Sequence, residues 1–145
     1  MPRDITLDTH LPHRPDTVWR ALTDPNALSQ WLMPVDGFTP VVGSRFRLTA
    51  KPMPGWDGIV HCEILAIDEP RHLSYTWHGT QMTTPTTVTW TLTPTDDNGT
   101  HLRLHHTGFT GLGGAILRLM HRGGWRKFLL RQLPTHLTTT DHTID

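Results

Sequence analysis

The stretch VTWTLTPTDDNGTHLRLHHTGFTGLGGAILRLMHRGGWRKFLLRQLPTHL, residues 88–137, decides the fold of this chain. Apolar residues alternate with threonine over residues 88–92, and a second alternating run covers residues 102–106. A period of two is typical of strands that bury one face. Between the two runs, Asp-Asp-Asn-Gly at residues 96–99 predicts a tight hairpin turn, because Asn-Gly tolerates positive φ.

The end of the same stretch has helical spacing. Large apolar side chains recur there at intervals of three and four residues: Trp125, Phe128, Leu129, Leu133 and Leu137. This pattern predicts a closing helix that begins near residues 124–125. Pro134 removes one helical hydrogen bond, so it should bend or end the regular helix. Two strands cannot bury this many large side chains, so we expect the helix to lie across a curved antiparallel sheet that earlier strands complete.

A glycine-rich segment connects the second strand to the closing helix. Leu112, Ile116 and Leu119 have helical spacing there, which predicts a short helix over residues 112–120. Glycines at the start of this segment have high backbone entropy and weaken its first turn. We therefore expect residues 111–124 to act as a mobile gate.

The earlier part of the chain supplies more strands and two short helices. Residues 5–11 alternate as a half-buried strand, and Pro15 and the pair Asp24-Pro25 predict the starts of two short helices. Further alternating or apolar runs cover residues 46–50, 58–68 and 72–78. Consecutive strands joined by short turns indicate an antiparallel meander and the α+β class.

Composition limits the possible functions. A length of 145 residues indicates a single domain, residues 1–145. Thirteen acidic residues balance thirteen Lys and Arg, so we expect no nucleic-acid partner and no general attraction to an anionic membrane. The single cysteine, Cys62, excludes an internal disulfide, and no apolar run approaches the ~18 residues of a membrane span. We expect a cytoplasmic protein that is a monomer or a weak dimer.

Several motifs resemble one known family. TVWRALTDP at residues 17–25, LSQW at 28–31, LSYTW at 73–77 and Gly-Trp at 124–125 are similar to the bacterial homologues of the Hsp90-ATPase activator domain. That family belongs to the START-like, helix-grip (Bet v 1-like) superfamily. The resemblance implies a curved antiparallel sheet of six or seven strands wrapped on a long C-terminal helix, with two short helices after the first strand. It also implies a cavity between the sheet and the helix.

The favoured hypothesis is that this cavity binds a small hydrophobic or aromatic metabolite. Lipids belong to this class of ligand. No charged cluster occupies the predicted interface, and pockets of this kind are mostly apolar. The candidate lining residues are large, and most are apolar or aromatic: Trp31, Trp56, Tyr75, Trp77, Trp90, Leu104, His106, Trp125, Phe128 and Leu129. No cofactor is expected.

Three alternatives remain open. A cyclase or hydrolase would have to use His106 with Tyr75 or Asp57 as its acid–base pair. A self-protection protein would sequester a reactive natural product, and a chaperone accessory protein would act in the stress response. Binding is favoured over catalysis, because the chain contains no recognisable nucleophile or zinc motif. His105 and His106 lie on opposite faces of a strand and cannot share one metal ion, so no metal site is assigned.

Overall fold

Seven strands and a long C-terminal helical region form the computed structural model, which describes residues 4–80, 82 and 84–144, with the backbone alone at 112 and 140–144. The elements follow in this order: β1 (Ile5–Leu11), α1 (Pro15–Thr23), α2 (Pro25–Trp31), β2 (Val35–Asp36), β3 (Arg45–Thr49), β4 (Ile59–Asp68), β5 (His72–Trp77), β6 (Thr86–Pro94), β7 (Thr100–Thr107), α3 (Gly111–Lys127), a wider helical turn (Phe128–Gln132) and α4 (Leu133–Ile144). This is the predicted α+β helix-grip architecture.

The strands form one antiparallel sheet in the order β1-β7-β6-β5-β4-β3-β2. Consecutive strands are neighbours from β2 to β7, and β1 returns to pair with β7. A register shift in β4 between Ile64 and Ala66 interrupts its pairing with β5. Irregularities of this kind bend a strand and increase its twist, which helps the sheet to curve around a helix.

The inner face of the sheet is the one that the period of two predicts. Its alternate side chains are all at most 4% exposed: Phe46, Leu73, Tyr75, Trp77, Val88, Trp90, Leu92, Leu102 and Leu104. The residues between them in β6 are half-buried threonines. The turn at residues 96–99 is also as predicted, since Asn98 has φ of 63°.

The glycine-rich segment is part of the long helical region, which corrects the predicted boundary near residue 124. Helix α3 begins at Gly111 and continues through Gly123 and Gly124 without a break. Gly114 lies against Phe109, and a Cβ at this position would stand 3.0 Å from the Phe109 carbonyl carbon. The missing side chain of Gly114 therefore allows the first turn of the helix to lie close to the backbone that precedes it.

Pro134 does not end the helical region, which continues to Ile144. The regular pattern is instead interrupted just before the proline, where the Leu133 N–H donates to the Phe128 carbonyl five residues earlier. A widened turn of this kind is a known way to relieve the interruption of the hydrogen-bond ladder. Leu129 within the turn and Leu133 and Leu137 after it are at most 1% exposed and belong to the hydrophobic core.

Helices α1 and α2 cover one end of the sheet, and two buried indoles fix their positions. Trp31 donates from Nε1 to the carbonyl of Ala21 at 2.8 Å, and Trp19 donates to Glu69 Oε1 at 2.8 Å. Each buried aromatic side chain of this size contributes about 1.5–3 kcal/mol through the hydrophobic effect. No helix among the described residues is long and apolar enough to cross a membrane.

Candidate functional site

A cavity of about 330 Å³ lies between helix α3, the end of β5 and the loop that follows β3. The loop contributes Ala50, Met53 and Trp56, and the helix contributes Leu117 and Trp125. The complete lining is Met33, Ala50, Met53, Trp56, Val60, Trp77, Gly79, Met82, Leu117, Met120, His121, Gly124, Trp125 and Phe128. Its volume lies within the ~300–1,000 Å³ range of small-molecule pockets.

Methionine is concentrated in this lining. Four of the five methionines of the chain border the cavity: Met33, Met53, Met82 and Met120. Met53 and Met120 are 51% and 57% exposed, so they stand at the opening, whereas Met82 is 8% exposed. Unbranched, polarisable thioether side chains adapt to apolar ligands of different shapes.

The polar groups of the lining are already hydrogen-bonded within the protein. Trp77 donates from Nε1 to His121 Nε2 at 3.2 Å, and His121 Nδ1 donates to the carbonyl of Leu117 at 2.8 Å. Trp56 donates from Nε1 to the carbonyl of Ile59 at 3.1 Å. Because these indole and imidazole nitrogens are occupied, the cavity is suited to apolar rather than polar ligands.

A second hydrogen-bond chain lies in the core, centred on His106. Trp125 donates from Nε1 to His106 Nδ1 at 3.0 Å, which makes Nδ1 an acceptor. His106 Nε2 lies 2.7 Å from Thr86 Oγ1, and that hydroxyl donates to the Trp77 carbonyl at 2.7 Å. A neutral imidazole with its proton on Nε2 satisfies every one of these contacts.

This arrangement keeps His106 neutral. The side chain is 0% exposed, and burial, assisted by the proximity of His121 and His105, lowers the pKa of His106 to about 2. A second proton would have to stand on Nδ1, where it would oppose the Trp125 N–H. Burial also lowers the pKa of His121.

The structure does not bring together the acid–base set that the enzyme hypothesis needs. The Tyr75 hydroxyl accepts from Trp90 Nε1 at 2.9 Å, and burial raises the pKa of Tyr75. Asp57 lies in an exposed loop, where its carboxylate accepts from the Ile59 N–H at 3.1 Å. His106 bonds to neither of them among the described contacts. Cys62 is buried, and burial raises the pKa of its thiol, so the thiolate is disfavoured.

Of the ten candidate lining residues, the structure places four at the cavity: Trp56, Trp77, Trp125 and Phe128. The other six lie in the core, at most 3% exposed, and do not border it: Trp31, Tyr75, Trp90, Leu104, His106 and Leu129. The physical reason is aromatic packing. Trp90 stacks edge-on with Trp31 at 6.2 Å and with Trp125 at 5.5 Å between ring centroids, which fills the space between the sheet and the middle of the helix.

Sequence reasoning missed the methionines and the helix residues Leu117 and His121. A signal for the helix side was present, because Leu117, His121, Gly124 and Phe128 follow each other at intervals of four, three and four. The predicted break near residue 124 concealed it. The methionines come from separate loops and helices, so no periodicity connects them.

A metal centre has no support in the described part of the chain, where no group of three or more His, Cys, Asp or Glu side chains could hold an ion.

Charged contacts lie at the surface of the sheet. Asp8, for example, contacts Arg103 at 2.8 Å and His101 at 2.9 Å. These contacts lower the pKa of Asp8, chiefly through the hydrogen bond from Arg103. They stabilise the edge of β1 and β7 away from the cavity.

Comparison with known proteins identifies the family. The family described as "Activator of Hsp90 ATPase homolog 1-like protein" matches residues 12–138. Protein MLL2253 from Mesorhizobium loti has a similar solved structure, with 35% identity, a TM-score of 0.82 and coverage of 94% of this chain and 98% of that one. None of the curated proteins matches the chain.

More distant solved structures share the fold. CalU16 from Micromonospora echinospora has 22% identity and a TM-score of 0.76, over 99% of this chain and 84% of that one. The Aha1 dimer from Colwellia psychrerythraea has 18% identity and a TM-score of 0.73, over 88% and 90%. The chain belongs to the family of Activator of Hsp90 ATPase homolog 1-like proteins, with a helix-grip (Bet v 1-like) fold.

Proposed function

We propose that this protein binds a small hydrophobic or aromatic molecule in the methionine-rich cavity. The observation that carries the proposal is the combination of an open volume of about 330 Å³ with a lining whose polar nitrogens bond internally. An apolar guest releases water from this surface without leaving a donor or acceptor unpaired. A charged or strongly polar guest would lose its hydration without compensation.

The size of the cavity sets the expected affinity. Enclosing roughly 200 Å² of apolar ligand surface contributes about 5 kcal/mol, from which the entropy of association is subtracted. The aromatic rings of Trp56, Trp77 and Phe128 add stacking contacts for a flat ligand. We therefore expect dissociation constants between millimolar and micromolar for ligands that are not matched to the site.

The enzyme hypothesis is less well supported, since its acid–base residues bond to separate partners. A self-protection role would use the same cavity, and it differs from simple binding only in the reactivity of the ligand. The likeness to CalU16, at 22% identity, concerns the fold alone. The argument for a ligand rests on the cavity of this chain.

The binding test is a titration of the protein with 2-naphthol and with 1-decanol, monitored through the indole N–H signals by NMR. Trp56, Trp77 and Trp125 border the cavity, so their signals should shift saturably. Trp19 is an internal control, because its N–H donates to Glu69 beneath helix α1 and does not border the cavity. Equal shifts at Trp19, or no saturable shift at the other three, would contradict the proposal.

A charge at the opening should weaken binding without unfolding the protein. Met53 is 51% exposed, so Met53→Glu is tolerated sterically, and it should lower the affinity about tenfold or more by placing a carboxylate against an apolar guest. Val41→Glu is the matched control, because Val41 is 56% exposed and does not border the cavity. If both variants bind as the wild type does, the ligand occupies another place.

A further inference from the structure

Helix α3 has an apolar stripe on its outer face. Ile116, Leu119 and Met120 are 63%, 64% and 57% exposed. Their spacing of three and four residues places them on one side of the helix. Gly114 and Trp125 are buried on the opposite side, against the rest of the fold. The stripe therefore adds nothing to the core.

The same helical region is strongly basic. Residues 111–132 contain five basic residues and no acidic one: Arg118, Arg122, Arg126, Lys127 and Arg131. The rest of the chain then has eight basic residues against thirteen acidic ones, which accounts for the formal net charge of zero. The balanced composition thus conceals a separation of charge. It qualifies the expectation from composition that an anionic membrane would not attract this protein.

Most of these cations have no carboxylate partner among the described side chains. Arg118 donates from Nε to the carbonyl of Asp4 at 2.9 Å and is half-buried. Arg122, Arg126, Lys127 and Arg131 are exposed, and none forms an ion pair with a carboxylate in the described ranges. Their charges are therefore available to an external anionic surface.

We propose that helix α3 docks on the surface of an anionic lipid bilayer. Ile116, Leu119 and Met120 enter the boundary between headgroups and acyl chains, and the basic side chains that follow contact lipid phosphates. From residue 116 to residue 127 the helix spans about 16 Å, so both contacts fit on one helix lying in the membrane plane.

Charge favours this occupant over others. A second copy of the chain packed on the same stripe would oppose five basic residues with five more, at a cost in repulsion. Basic, amphipathic helices with exposed apolar residues are typical of membrane surfaces.

The docking surface is separate from the ligand proposal but lies next to its site. Met120 belongs to the stripe and also borders the cavity. The opening of the cavity therefore adjoins the surface that would contact lipid. Docking does not require that the cavity hold a ligand, and the two proposals can fail independently.

The test is co-sedimentation of the full chain with vesicles of phosphatidylcholine alone or of equimolar phosphatidylcholine and phosphatidylglycerol. We expect binding to the anionic vesicles that weakens as salt is raised, and little binding to the neutral ones. Arg122→Gln with Arg126→Gln should lower partitioning about 25-fold, or fivefold per charge. Ile116→Gln with Leu119→Gln should lower it more than about tenfold.

The control is Val41→Gln with Val42→Gln, which removes two apolar side chains that are 56% and 58% exposed outside the helix. This variant should bind anionic vesicles as the wild type does. Equal binding to neutral and anionic vesicles, or no binding to either, would overturn the proposal. Binding to polyglutamate but not to vesicles would indicate an acidic protein partner. Dimerisation abolished by the two glutamines on the stripe would indicate a second copy.

Discussion

The buried, neutral His106 should make the fold less stable in mild acid. The imidazole is buried, and its pKa is lowered from the ordinary 6.5 to about 2. The unfolded chain binds the proton near its ordinary pKa, whereas the folded chain does not. Stability from this residue is therefore complete above about pH 6.5 and is lost as the pH falls below that value. The loss is about 1.4 kcal/mol per pH unit, or about 2.5 kcal/mol between pH 7.5 and 4.5.

The contribution of His106 is isolated by comparison with a variant that cannot titrate. In His106→Asn, the amide oxygen stands near the position of Nδ1 and can still accept from Trp125 Nε1. The bond to Thr86 is lost, so the variant should be less stable than the wild type at pH 7.5. His121 is present in both proteins, and its own lowered pKa acts in the same direction in each.

The measurement is urea unfolding of both proteins at a series of pH values, followed by tryptophan fluorescence. The difference in unfolding free energy between wild type and variant should shrink by about 2.5 kcal/mol from pH 7.5 to 4.5. NMR should also show the His106 imidazole in its Nε2–H form in the folded protein throughout this range. A constant free-energy difference, or a charged His106 in the folded state at pH 4.5, would refute the reasoning.

Three further outcomes follow from local structure. Gly58→Ala should destabilise the fold by about 2 kcal/mol or more, and Gly55→Ala by less, since both have positive φ but only a Cβ at Gly58 would overlap a backbone atom, the Ala50 carbonyl oxygen. Comparing the urea unfolding curves of the two variants separates the cost of the steric overlap from the cost of a positive φ. Amide exchange should be faster over residues 111–124 than in β7, and equal strong protection would argue against a gate. Leu102→Ala should cost about 2–5 kcal/mol in the same assay, whereas Leu65→Ala at a 44% exposed site should cost little.

The sheet was predictable because side-chain alternation is a local property. In β5, β6 and β7, every residue assigned to the inner face by its period of two is buried in the structure. The Asn-Gly turn and the prolines at the starts of α1 and α2 likewise depend on backbone preferences of single residues. These local preferences are observed in the structure because the tertiary contacts favour the same backbone conformations.

The long helix was less predictable, because its continuity depends on contacts between distant residues. Gly111, Gly113 and Gly114 indicate a weak helix start, and each glycine costs up to about 1 kcal/mol relative to alanine. In the structure, His121 accepts from the Trp77 indole in β5, and the Trp125 indole donates to His106 in β7. These contacts stabilise helical turns that local propensity disfavours. No residue spacing in the sequence predicts these contacts.

The position of the cavity could not be derived from residue types. Trp31, Trp90 and Trp125 could line a space or fill it, and the outcome depends on how the helix is set against the sheet. With ring centroids 5.5–6.2 Å apart, these indoles pack edge to face and leave no room for a ligand between them. The open volume is displaced toward Trp56 and the methionines. Aromatic content therefore predicts a large core more securely than it predicts a pocket.

The inner and outer faces of the helical region that begins with α3 have different roles, which is why the outer face matters for function. Trp125 and Leu129 on the inner side are fully committed to the core, at 2% and 0% exposure. Ile116 and Leu119 could be polar without any loss to that core, because they are more than 60% exposed. Helical periodicity places Ile116 and Leu119 on the face opposite Trp125 and Leu129, and the exposures agree with that placement. This separation onto opposite faces, together with the uncompensated basic charge that follows, distinguishes residues that stabilise the core from residues that are available to contact a membrane.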